Sequence, residues 1–236
     1  MIKKRIKIES YEVGPNGDAK LSSLMKHMQQ AALDDCDQYS ASYENMREED
    51  LVFVIIKFGI RFFFPIKKND EIEILTVNDR VEGITFIRDY VLYKNGVPAA
   101  EATTHWVMMS YSRRVPMRAN SSKYPVPQMK MNITNLVIPR TFGGEGEYSN
   151  SETHKVRYSE LDENEHLNNT VYADLVYDYS GCDIGEVESC FISFSSEALL
   201  GDSLVMNRRG NEKSGELRCV NERSGKVCFR ALINFR

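Results

Sequence analysis

From Val52 the chain alternates, and Val52, Val54, Ile56, Phe58, Ile60, Phe62 and Phe64 place every second residue on one apolar face. The residues between them are mixed, which predicts a long strand ended by Pro65. Three further strands read at roughly 71–77, 84–93 and 99–111, the last two joined by the hairpin signal Asn95-Gly96. Ahead of them Leu21, Leu24, Met25, Met28, Ala31 and Ala32 fall at helical spacing. That helix has one apolar stripe, and the antiparallel sheet is its available partner. Residues 3–13 alternate weakly as a strand, Gly14-Pro15-Asn16-Gly17-Asp18 is turn chemistry, and the run from Asp34 to about Asp50 reads as helix end and loop. His27 lies off the stripe and is expected in solvent.

The second half repeats this order. Val171, Tyr172, Leu175, Val176 and Tyr179 mark one face of a helix at about 168–181, which Asn168 or Asn169 is placed to cap. Strands recur at roughly 189–196, 203–208, 215–221 and 226–235, with Ser224-Gly225 in the turn position of Asn95-Gly96. Lys68-Asn69-Asp70-Glu71-Ile72 answers Leu200-Gly201-Asp202-Ser203-Leu204, and in that register Pro65 matches Glu197. The expectation is an α+β fold made of a duplicated helix-plus-antiparallel-sheet unit. It divides into an N-terminal unit at 1–115, a crossover linker at 116–150 and a C-terminal unit at 151–236.

The span from Ala102 to Gly144, which runs into the linker, is free of acids and carries Arg113, Arg114, Arg118, Lys123, Lys130 and Arg140, with prolines at 116, 125, 127 and 139. Such proline density argues for extended chain. The cations serve either as a dock for an acidic or phosphate-bearing partner or as a strap over an acidic surface of the protein itself. Phe142-Gly143-Gly144-Glu145-Gly146 lacks phosphate-loop spacing and reads as flexible linker.

Composition narrows the classes. A 236-residue chain with 27% charged residues and net charge −4 does not favour nucleic acid as a partner. No apolar run reaches the ~20 residues of a membrane span, and the basic start lacks the apolar core of a secretory signal. Five scattered cysteines form no C-x-x-C pair, so neither zinc nor a disulfide framework is suggested; reduced thiols in the cytoplasm are expected.

Chemistry concentrates at Leu161-Asp162-Glu163-Asn164-Glu165-His166-Leu167-Asn168-Asn169, just before the second helix. Backbone N–H groups and the positive dipole end at a helix start polarise a carbonyl oxygen, beside a histidine and carboxylates. The cluster is therefore a candidate site for acyl-group chemistry. Glu197, an acid at the end of an apolar strand, needs a partner. The first half shows no counterpart of this cluster. His105 and His154 alternate within strands and are expected to be structural.

Asp162-x-Asn164-x-His166-Leu167-Asn168-Asn169-x-x-Tyr172, then Phe194-Ser195-Ser196-Glu197-Ala198 and Gly201-Asp202, resembles the acyl-acyl-carrier-protein (acyl-ACP) thioesterases of plants and bacteria. Arg88-Asp89-Tyr90, Ala102-Thr103-Thr104-x-Trp106-Val107 and Arg113-Arg114 support the resemblance, which covers nearly the whole chain. It implies a double hotdog fold, each unit an antiparallel sheet wrapped around a long helix. It also implies hydrolysis of fatty acyl-ACP to free fatty acid and carrier protein, ending chain elongation, with no cofactor and no metal. The implied catalytic set is Asp162, Asn164, His166 and Glu197. Asn168, Asn169, Arg113, Arg114 and Arg118 are then substrate-binding candidates. Plant members carry a cysteine beside the glutamate, but Ala198 stands there, so no thiol attack runs from that position; Cys190 and Cys182 match no nucleophile of the family. Alternatives are an acyl-coenzyme A thioesterase, a hydroxyacyl dehydratase, which the Asn-rich motif does not support, and a non-catalytic acyl-chain-binding protein. No G-x-S-x-G is present for a serine hydrolase. The apolar wall from Val52 to Phe64 and the first helix is the expected acyl pocket, and edge-strand pairing makes a homodimer an expectation.

Overall fold

The computed structural model describes residues 1–142, 148–180, 187–211 and 213–236. It falls into two compact units, Met1–Val137 and Ile138–Arg236. In the first, β1 (Ile2–Lys7), β2 (Leu51–Phe62), β3 (Glu71–Glu82), β4 (Thr85–Lys94) and β5 (Val97–Ser110) pair antiparallel in the order β1-β3-β4-β5-β2. Helix α1 (Leu21–Asp37) buries the expected stripe, together with Ser22, Ser23 and Asp35. Asp35 stands in the last turn of this helix, at the expected helix end. It lies fully buried and takes Arg88 Nη1 of β4 at 2.8 Å, because a buried carboxylate needs a cation. His27 is not solvated, since its Nε2 meets the buried Glu12 at 2.6 Å.

The long alternation of β2 does not keep one face. Pairing moves from Ile55 opposite Trp106 to Lys57 opposite His105, so Ile56 is an extra residue. One inserted residue reverses the faces. Leu51 and Ile55 are buried before it, Phe58 and Ile60 after it, and Val54 is exposed. The expected loop before β2 contains a short helix, α2 (Tyr43–Glu48), capped by Ser42. Its Met46 closes a small core with Ala41, Leu51, Phe86 and Met108, against which Met117, Ala119, Tyr124 and Val126 of the connector pack.

Between Ser110 and Val137 the connector has no regular structure and is fastened to its own unit by acids. Lys130 N–H donates to the Asp79 carbonyl at 2.9 Å and Asn132 N–H to the Asp79 carboxylate at 2.9 Å. Thr134 Oγ1 donates to Glu101 at 2.5 Å, and Ser122 Oγ and Lys123 N–H reach Glu49 at 2.8 and 3.2 Å.

In the second unit β6 (Ser149–Lys155), β7 (Val187–Phe194), β8 (Ser203–Asn211), β9 (Ser214–Asn221) and β10 (Val227–Phe235) run antiparallel in the order β7-β10-β9-β8-β6. Helix α3 (Val171–Tyr179) starts later than expected. Neither asparagine is its cap residue: Thr170 is, and the Asn168 side-chain oxygen takes the Thr170 N–H at 2.9 Å and its hydroxyl at 2.8 Å. The expected end at residue 181, Cys182 and the Gly143–Gly146 linker lie outside the described residues. No described helix is long and apolar enough to cross a membrane.

Candidate active site

The segment 161–169 is a tight turn closed on itself. Asp162 N–H donates to the His166 carbonyl at 2.8 Å, and Glu165 N–H to the Asp162 carbonyl at 3.0 Å. Glu165 takes φ 63°, the left-handed conformation such a reversal requires. The Asp162 carboxylate faces inward on the turn, where one oxygen, Oδ1, accepts the N–H groups of Asn164 at 2.9 Å and His166 at 3.1 Å. Asp162 therefore fixes the backbone on which Asn164 and His166 are mounted.

A second loop, after β7, brings the acid. Leu167 N–H donates to the Ala198 carbonyl at 2.8 Å, which aligns the two loops. His166 Nε2 then lies 3.0 Å from Glu197 Oε2. The imidazole is 20% exposed and the carboxylate 51%, so the pair opens to solvent. Glu197 had been expected to need a partner, and the histidine of the cluster is that partner.

The Glu197 loop is held from behind by residues the sequence reading passed over. Ser195 N–H donates to the Cys228 carbonyl at 2.8 Å and Ser196 Oγ to the Val227 carbonyl at 2.8 Å. The buried Asp202 accepts Leu199 N–H at 2.9 Å, Asn221 Nδ2 at 2.6 Å and Arg223 Nε at 2.8 Å. Burial works to raise its carboxyl, and those contacts outweigh it and hold the group below the usual range. Gly201-Asp202 was legible as a repeated pair; Asn221, at the end of β9, and Arg223, in the turn after it, had no sequence signal.

Tyr172 stands in the first turn of α3 with its ring edge-on to Phe229 and Phe194, centroids 5.0 and 5.7 Å apart. Burial first, then the nearby Cys228, Cys219, Asp162 and Glu197, push its phenol above the usual range. It remains a neutral O–H beside the two carboxylates. Cys190 is wholly buried, and burial alone pushes its thiol up to about 12, so it is no nucleophile at neutral pH. Ala198 is also fully buried.

Other expected residues have separate surroundings. Asn169 is half-buried just before Thr170. Arg113, Arg114 and Arg118 are exposed on the first unit. Arg113 donates to Ser110 Oγ at 3.3 Å, and Arg114 stacks 5.6 Å from the Tyr111 ring. His154 Nε2 meets Glu160 at 3.0 Å, a structural pairing. Among the described residues no group of three or more His, Cys, Asp or Glu is arranged to hold a metal ion.

The family model described as the acyl-ACP thioesterase N-terminal domain matches residues 1–122, and the model for the C-terminal domain of the same family matches residues 144–236. No curated protein matches the chain at a significant level. Among solved structures the chain is similar to an acyl-ACP thioesterase from Bacteroides thetaiotaomicron, with TM-score 0.85, 17% identity and coverage of 99% of this chain and 97% of that one. It is also similar to the 12:0-ACP thioesterase from Umbellularia californica, with TM-score 0.76, 18% identity and coverage of 100% and 96%. At such identities these structures speak for the fold, a double hotdog.

Proposed function

This chain belongs to the acyl-ACP thioesterase family and is a thioester hydrolase acting on acyl-ACP, and we propose that the Asp162–His166 turn and Glu197 carry its chemistry. The observation that carries this assignment is the 3.0 Å contact between His166, in the turn before α3, and Glu197, in the loop after β7. Hydrolysis needs a nucleophilic water and a stabilised oxyanion. Glu197 takes a proton from water, with His166 as its hydrogen-bonded partner. The hydroxyl adds to the thioester carbon, and the oxyanion is met by Asn164 and by N–H groups at the helix start, with Asn168 and Asn169 on the same side. Collapse breaks the C–S bond, and the proton returns to the departing sulfur. The products are a free fatty acid and the carrier thiol. Asp162 positions Asn164 and His166 rather than reacting.

The exposed Arg113, Arg114 and Arg118 are read as the dock for the acidic carrier. Charge-neutralising substitutions there raise KM for acyl-ACP and weaken its salt dependence; an unchanged KM and salt slope removes them from that role. The free thiols at Cys36, Cys190, Cys219 and Cys228 support a reducing, cytoplasmic setting. A homodimer belongs to the same reading and is checked by sedimentation. The deciding experiment is hydrolysis, by the purified chain, of a panel of acyl-ACP and acyl-coenzyme A thioesters across chain lengths. Turnover is expected on acyl-ACP with a marked preference for part of the length range. Turnover of acyl-coenzyme A alone would replace the carrier reading.

A further inference from the structure

The outer face of the second sheet, away from α3, carries two arginines that the fold does not ask for. Register places Asn207, Arg218, Arg230 and Ser193 in one row across β8, β9, β10 and β7. Arg218 and Arg230 are direct cross-strand neighbours, so their Cβ atoms are about 4.5–5.5 Å apart and their like charges are mutually unfavourable. No carboxylate stands in that row. The nearest acid along β9, Glu216, is already paired with Arg209 at 2.5 Å. Tyr148 stacks on Arg218, 4.5 Å from ring centre to guanidinium, and Arg218 Nε is buried without a hydrogen-bond partner among the described residues.

The first unit shows what the sheet itself needs at these positions. The equivalent row there is Leu75, Val91, Glu101 and Arg61. Leu75 and Val91 are buried, and Glu101 pairs with Arg61 and accepts Thr134. An apolar pair and a satisfied ion pair have become two adjacent cations that, among the described residues, pair with no carboxylate. Two guanidiniums at this separation present a fork of N–H donors matched to phosphate oxygens. The row also adjoins the active-site loop. Ser193, at the end of β7, precedes Glu197 by four residues, and Ser195 is tied to the Cys228 carbonyl on the strand that bears Arg230.

We propose that Arg218 and Arg230 bind the phosphate of a pantetheine arm, a diester when the arm is borne by a carrier protein and a diphosphate in coenzyme A. The site rests on the thioesterase reading for its ligand and sets the approach of the arm to Glu197. Arg230→Met and Arg218→Met keep the apolar stems and remove the forks. In each, KM for acyl-ACP and acyl-coenzyme A rises about tenfold with kcat unchanged, while an acyl-pantetheine without phosphate is hydrolysed as before. A rise confined to one of the two phosphate-bearing substrates identifies the source. An unchanged KM, or an equal rise for acyl-pantetheine, overturns the proposal. Calorimetric titration of phosphopantetheine into the full chain reads the site without catalysis: wild type binds, and each variant binds at least tenfold more weakly. A chain that binds phosphopantetheine but hydrolyses nothing would refute the thioesterase mechanism and leave the site standing. Relief of the like-charge pair leaves the melting temperature unchanged or raised. Should a methionine variant misfold, Arg218→Lys and Arg230→Lys, which keep charge but lose the fork, give the same KM test.

Discussion

The same turn is built twice, and only one copy carries the candidate catalytic residues. Gly14–Ala19 in the first unit and Asp162–Leu167 in the second share each backbone bond. Gly14 N–H reaches the Asp18 carbonyl at 2.9 Å as Asp162 reaches His166 at 2.8 Å, and Ala19 N–H reaches Ile66 at 2.7 Å as Leu167 reaches Ala198 at 2.8 Å. Gly17 adopts φ 81° where Glu165 adopts 63°. At the three positions that matter the first copy has Gly14, Asp18 and Pro65 where the second has Asp162, His166 and Glu197. The asparagine is common to both, but its duty differs. Asn16 Oδ1 closes the first turn by accepting Asp18 N–H at 3.1 Å, whereas in the second Asp162 accepts the corresponding His166 N–H. Asp162 thus takes over the turn-closing task from Asn164.

The comparison also shows that an imidazole beside a carboxylate is no signature by itself. His27–Glu12 and His154–Glu160 are such pairs, at 2.6 and 3.0 Å. Glu12 and Glu160 sit at equivalent places in their units, and each also accepts a backbone N–H three residues earlier, from Glu9 and Arg157, at 2.8 Å. They pin a 3₁₀ turn. Only His166–Glu197 joins two loops and leaves its carboxylate half in solvent. The sharpest way to break the distinction is therefore to remove one member of each pair. Glu197→Ala and His166→Ala each lower kcat at least about a hundredfold in protein that remains folded. Glu12→Ala and Glu160→Ala lower the melting temperature and leave the turnover of folded protein near normal. Steady-state kinetics with thermal melts separates the two. Near-normal turnover in folded Glu197→Ala or His166→Ala refutes the assignment.

A smaller loss is expected at Asp162. Asp162→Gly recreates the first copy's turn, where the histidine N–H must turn to the asparagine for its acceptor. Turnover falls roughly ten- to thirtyfold through kcat, about 1.4–2 kcal/mol. Asp162→Asn keeps an acceptor oxygen in place and restores most of the rate if positioning is the role. If Asp162→Asn falls as far as Asp162→Gly, the negative charge itself is needed.

Much of this comparison was legible in the sequence. Repeated apolar spacing exposed the duplication, and the match of Pro65 to Glu197 came from the Asp70 and Asp202 pairs; the structure keeps that register, since Lys67 and Leu199 N–H groups bond to those two aspartates at 2.7 and 2.9 Å. The expectation that the first half lacks any counterpart to the cluster held for its chemistry and not for its backbone. Gly14-Pro15-Asn16-Gly17-Asp18 reads as a generic turn, because hydrogen bonds between main-chain atoms leave no residue signature. Bulges are equally silent, so the two halves of β2 were assigned to one face. His27 is misplaced for another reason: a polar residue on a helix looks solvated until its partner, here Glu12, arrives from elsewhere in the chain.

Asp89 in the first unit and Glu216 in the second occupy one register position, opposite Val77 and Arg209 respectively. Glu216 has Arg209 as its partner at 2.5 Å. Asp89 is buried, and its neighbour Arg80 is bound to Asp79 and Glu82. Burial, with Asp79 and Glu101 nearby, pushes the Asp89 carboxyl up to about 6 against relief from Thr103 and Arg80. A folded pKa above the unfolded one means the folded state holds the proton more tightly. Stability is then highest below the unfolded pKa of about 4 and falls as pH rises to about 6, where the penalty is complete. Asp89→Asn abolishes that penalty and is expected to stabilise the first unit by about 2 kcal/mol at pH 7.5, and by little at pH 4. Urea unfolding at the two pH values reads it, and a gain equal at both would place the titrating group elsewhere. Glu216→Gln, which breaks a pair that water and salt already screen, costs under about 1 kcal/mol and loses its effect at high ionic strength. A buried acid left without a dedicated cation should thus show in pH dependence, and its partnered equivalent in salt dependence. If both variants respond alike to pH, the register equivalence does not extend to their electrostatic environments.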